Sequence, residues 1–135
     1  MKVELDTNQV GIGKTVSLPV AAAIERAEAC LKEEGFGILT RIDVRATMKE
    51  KLGIDVPPCV ILGACNPALA HRALEAEPQV SLLMPCNVVV REESGGKVRV
   101  EAMNAGMIST LFPEADLSAM AREATERLTR AIRAI

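Results

Sequence analysis

Lys97-Val98-Arg99-Val100-Glu101-Ala102-Met103 alternates without a break, with Val98, Val100 and Ala102 on one side and Lys97, Arg99 and Glu101 on the other. A period of two is that of a strand with one dry face and one wet face. Parallel sheets are covered on both faces, so a half-wet strand belongs to an antiparallel sheet with its cover on one side only. Ser94-Gly95-Gly96 precedes it, and residues 82–91 form another strand-like run before that glycine pair. Two strand-like runs flanking such a turn read as a hairpin.

Residues 59–64 are apolar throughout and read as a central strand. Phe36, Ile38, Thr40, Ile42 and Val44 alternate as a further strand, and a short helix from about Ala46 carries Met48 and Leu52 and stops at Gly53. Val20, Ile24, Ala27 and Leu31 recur at helical spacing, with Ser17 as the expected cap, Pro19 in the first turn and Gly35 beyond the end. Residues 10–16 form the first strand, with Val10, Ile12 and Val16 on one face and Lys14 interrupting it; residues 1–8 are a polar arm or short strand. Asn66-Pro67 opens a helix with apolar positions Leu69, Ala70 and Leu74, ended by Pro78. A helical turn holds Ile108, Leu111 and Phe112, and a closing helix carries Ala121, Ala124, Leu128 and Ile132. The order is strand, helix, further strands with helical insertions, then helix, which is α+β.

The chain has 135 residues, enough for one domain, with the core expected over about residues 10–135. Its net charge of −2 excludes a strong non-specific phosphate-binding surface, and the absence of Trp and Tyr removes a base-stacking platform, so nucleic acid is not an expected partner. Its apolar runs, such as residues 59–64 and Val88-Val89-Val90, fall far short of the roughly 20 residues of a membrane span, and no secretory leader is visible. A cytoplasmic location with four reduced cysteines is expected.

Gly11-Ile12-Gly13-Lys14-Thr15 resembles the tail of a phosphate-binding loop, but Asn8 stands where the motif needs its first glycine, and the residues read as strand. The cysteines, at 30, 59, 65 and 86, include no Cys-x-x-Cys pair. Cys30 reads as core filler. Cys59 and Cys65 lie roughly 20 Å apart along one strand and cannot share a metal. Cys65 precedes the Asn66-Pro67 helix start, where free amides and the helix dipole favour a thiolate or a small anion. The plain alternative is a thiol that only packs. Cys86 neighbours Cys65 if their strands are antiparallel. His71, the single histidine, follows on the same helix at the edge of its apolar stripe, within reach of a group bound at Cys65.

Three blocks carry a family resemblance: residues 35–53, Ile61-Leu62-Gly63-Ala64-Cys65-Asn66-Pro67 with Ala70-His71-Arg72-Ala73-Leu74, and Leu83-Met84-Pro85-Cys86-Asn87-Val88. Together they resemble the domain-of-unknown-function family DUF302, and within it the compact, stand-alone thermophile-type members. The resemblance runs from about Gly11 to the last helix. It implies a strand–helix–four-strand meander–helix fold, TATA-binding-protein-like, with an antiparallel sheet and helices on one face. That arrangement supports Cys65 and Cys86 as neighbours. The family's signature positions fall on Cys65, Asn66, Pro67, His71, Pro85, Cys86 and Asn87. It has no established activity and lends no catalytic residues.

Three functions compete. The first is a small-ligand or metal site at Cys65, Asn66, His71, Cys86 and Asn87, in which Cys65, His71 and Cys86 would hold zinc or another thiophilic metal. The second is a non-catalytic homodimeric scaffold with inert thiols. The third, ranked last, is an enzyme with Cys65 as nucleophile and His71 as base. A homodimer is expected because the uncharged strands need cover, with Met103, Met107 and Ile108 as the candidate surface.

Overall fold

The computed structural model describes residues 5–135. An antiparallel sheet of six strands lies at its centre, in the order β1-β2-β6-β5-β4-β3. The strands are β1 (Asp6–Thr7), β2 (Gly11–Val16), β3 (Gly37–Asp43), β4 (Cys59–Cys65), β5 (Cys86–Glu92) and β6 (Val98–Met103). The helices are α1 (Val20–Glu33), α2 (Val44–Leu52), α3 (Pro67–Ala76), α4 (Gly106–Leu111) and α5 (Ser118–Ala134). β3 to β6 form the meander, and β2 closes against β6 with Ile12 opposite Ala102. This is the expected α+β architecture, with β1 added at one edge.

Alternation in the strands sends Ile12, Leu62, Val88, Val90 and Val100 to the helix-covered face, where all are fully buried. Ala23, Ala27 and Leu31 of α1 and Leu128 and Ile132 of α5 complete that core. Ala23 and Ala27 present small buried side chains from α1 to the sheet.

Lys14 lies on the buried face beside Ile12 rather than interrupting it. Its ammonium donates to the backbone oxygens of Arg133 (2.9 Å) and Ile135 (2.8 Å). Carbonyls in the last helical turn have no intrahelical donor, and a cation suits the negative end of the dipole. Burial lowers the Lys14 pKa. Val10, expected on the core face, is exposed.

Other expectations are corrected. Pro19 rather than Ser17 occupies the N-cap of α1, in extended backbone and without a side-chain hydrogen bond. The second helix starts at Val44, because the Asp43 carboxylate accepts from the Ala46 amide and ends β3. Residues 78–83 form a short 3-10 helix, so β5 begins at Cys86 and not at Leu82. Leu69 is buried as expected, but Leu74 is exposed and Ala73 takes the second buried position of α3. The uncharged runs need no partner to cover their edges, since β4 and β5 are interior strands. Ile108 is buried in the chain's own core and offers no docking surface.

Candidate functional site

The β4–β5 register sets Ala64 opposite Cys86 and Gly63 opposite Asn87. Ala64 points to the helix side, so Cys86 does too, and Cys65 follows at the end of β4. Asn66 then caps α3, its side-chain oxygen accepting from the Leu69 amide at 3.2 Å. Between this corner and α5 lies a cavity of about 40 Å³, walled by Ala64, Cys65, Leu69, Met84, Cys86 and Met120, with Phe36 and Ile108 behind. No charged side chain lines it among the described residues.

Burial pushes the Cys86 thiol up to about 11, and the neighbouring Cys65 adds to the shift. A thiol so placed stays protonated at neutral pH and behaves as a weakly polar, polarisable surface. The Cys59 pKa is also raised, mainly by burial, with Arg91 opposing. All four cysteines are unpaired.

The helix mouth holds less for an anion than the sequence implied. Pro67 has no amide proton and Asn66 already takes the Leu69 N–H. Asn66 is further committed through Nδ2, which donates to the Glu34 carbonyl at 3.5 Å. Gly35, at φ +85°, passes so close that a Cβ there would sit 2.8 Å from that amide nitrogen. Asn66 is thereby a brace between the end of α1 and the start of α3.

His71 does not join the corner. It is two positions from Leu69 and from Ala73, about 200° around the helix at 3.6 residues per turn, and so faces solvent. Its Nε2 lies 3.1 Å from Glu75 Oε1, and it lines a separate cleft with Arg72 and Asp116. Asn87 is one residue past Cys86, so alternation turns it to the opposite face, into a groove with Val89 and Met103. The expected Cys65–His71–Cys86 metal set is therefore not assembled. Among the described residues, no three His, Cys, Asp or Glu side chains gather to hold a metal ion. What the sequence reading missed are the apolar walls, Met84, Met120 and Ala105, which arrive from three other segments.

The open face of the sheet carries a second polar feature. Arg91 donates to Glu101 at 2.7 Å, and Arg99 bonds both Glu101 (3.4 Å) and Asp6 (3.0 Å). Gly11 and Gly13 make room for it, since a Cβ at either would meet the Glu101 side chain at 3.1 Å. The arginines, Arg91 first, hold the Glu101 carboxyl below its ordinary pKa.

Fold and corner together define an α+β domain with one helix-covered sheet face and a small thiol-walled cavity. The sequence profile described as "Domain of unknown function DUF302" matches residues 12–135, and the chain belongs to that family. A crystal structure of an uncharacterized conserved DUF302 protein from Bacillus stearothermophilus is similar, with a TM-score of 0.83 and 32% identity over 93% of this chain and 98% of that one. No curated protein matches the chain. Among the described residues, no helix is long and apolar enough to cross a membrane.

Proposed function

We propose that this chain is a binding domain that receives a small, largely apolar group in the cavity beside Cys65 and Cys86. The observation that carries the reading is the uncharged lining around a thiol that burial keeps protonated. Such a surface has little to offer an ion and suits an aliphatic or sulfur-bearing group. Met84 and Met120 are flexible walls that can move aside for an occupant larger than the resting space. No base stands beside the thiols among the lining residues, so the arrangement favours binding over thiol catalysis. Four unpaired cysteines suit a reducing compartment such as the cytoplasm.

Metal and small-molecule analysis of natively purified protein tests this reading. Denaturing extraction should release an apolar small molecule, with less than one equivalent of metal bound. One equivalent of zinc or copper, lost in Cys65→Ser and in Cys86→Ser, would replace it with a thiolate metal site.

A further inference from the structure

We infer that the open face of the sheet, together with α2, docks a second copy of this chain about a twofold axis running parallel to the strands. The inference is independent of the cavity, which lies on the other face. α2 has no buried residue, and β3, the edge strand that leads into it, leaves Leu39 and Ile42 exposed. Only Val44 and Met48 of α2 are half-buried against its own chain, so most of the helix surface is left without the packing that stabilises helices in proteins.

The two halves of the face are complementary. Ile42, Ile61 and Val89 are cross-strand neighbours and form an apolar row on β3, β4 and β5. The other half, on β2 and β6, is low in relief, because Gly11 and Gly13 carry no side chains and Glu101 lies flat over them. Its charges are already engaged in the Arg91–Glu101–Arg99–Asp6 chain, so covering them strands none of these four. A twofold along the strands, between β5 and β6, lays the apolar row of each copy over the glycine half of the other. It brings α2 toward the partner's β1 edge.

Charge follows the same pattern. Arg45 and Lys51 on α2 have no ion-pair partner among the described residues. Asp6, at the opposite edge, is three-quarters exposed despite its bond to Arg99. Area is adequate. Five long strands about 4.8 Å apart and roughly 20 Å long project on the order of 500 Å². Side-chain relief and α2 extend this toward the roughly 800 Å² that each partner of a standard interface buries.

Light scattering at tens of micromolar should give twice 14.4 kDa. Val89→Arg should reduce it to the monomer mass with an unchanged circular dichroism spectrum, since Val89 lies outside the core. Arg45→Glu with Lys51→Glu should weaken the dimer at least tenfold with an unchanged circular dichroism spectrum, since both side chains are exposed. A wild-type mass near 14.4 kDa overturns the proposal, as does a dimer indifferent to Val89→Arg or to the double charge reversal.

Discussion

Cys86 and Cys65 lie on one wall of the same small cavity, close enough that charge on Cys65 opposes ionisation of Cys86, whose thiol burial has already lifted to about 11. Two thiols near each other are usually read as a redox pair or as metal ligands. Here the apolar surroundings make the Cys86 thiol a hydrophobic wall.

Alkylation should show this directly. At pH 8 Cys86 should label slowly, because the thiolate is the attacking species and burial disfavours it. Cys86 labelling should rise about tenfold per pH unit and level off only near 11, as followed by peptide mapping. A plateau near the ordinary thiol range would contradict the burial argument. Cys65→Ser should lower the Cys86 midpoint by removing the neighbouring charge.

Gly63 is required by its neighbours. A Cβ there would collide with Thr40 Oγ1 and come 2.7 Å from the Pro85 ring. Gly63→Ala should cost about 1–3 kcal/mol, the usual range for forcing atoms into a packed site. Urea unfolding measures it, and Thr40→Ala in the same chain should recover part of the loss. An additive pair would show that Thr40 is not the obstacle.

Much of this architecture was legible in the sequence, for identifiable reasons. The alternation from Val98 to Ala102 and the helical spacing of Ile24, Ala27 and Leu31 are periodic signals, and burial follows them. The Cys65–Cys86 corner was legible because antiparallel pairing alone brings the end of β4 to the start of β5. His71 lies on the solvent side of α3 and not at the edge of its apolar stripe, because Ala73 rather than Leu74 joins Leu69 in the buried stripe. With so many alanines, α3 gives little contrast between its faces. The cavity walls and the Lys14 contacts join residues remote in the chain, and no local pattern encodes them.

Lys14→Met should destabilise the fold by about 1–3 kcal/mol, since it leaves two carbonyl oxygens at the end of α5 without their donor. Lys14→Arg should lose less, because it keeps the charge and donors in a space shaped for a slimmer head. Chemical denaturation measures both. Equal losses would mean that volume, not hydrogen bonding, sets the cost.

The Glu101 network predicts acid sensitivity with a defined sign. Its carboxyl pKa is depressed in the folded chain, chiefly by the Arg91 hydrogen bond. Its contribution is therefore present above the unfolded pKa, near 4.3, and is lost as pH falls through the folded value. Glu101→Gln should cost about 1 kcal/mol at pH 7. The difference between variant and wild type should shrink below pH 4. A difference that is constant with pH would assign the loss to packing.

Diffraction from crystals held under xenon reads the cavity itself, because xenon enters small apolar spaces and ignores charged ones. A xenon peak is expected among Met84, Cys86 and Met120, abolished in Ala70→Leu, which fills the lining from α3. An empty corner in the wild-type protein, or ordered water hydrogen-bonded to the two thiols in its place, would rule out an apolar binding cavity.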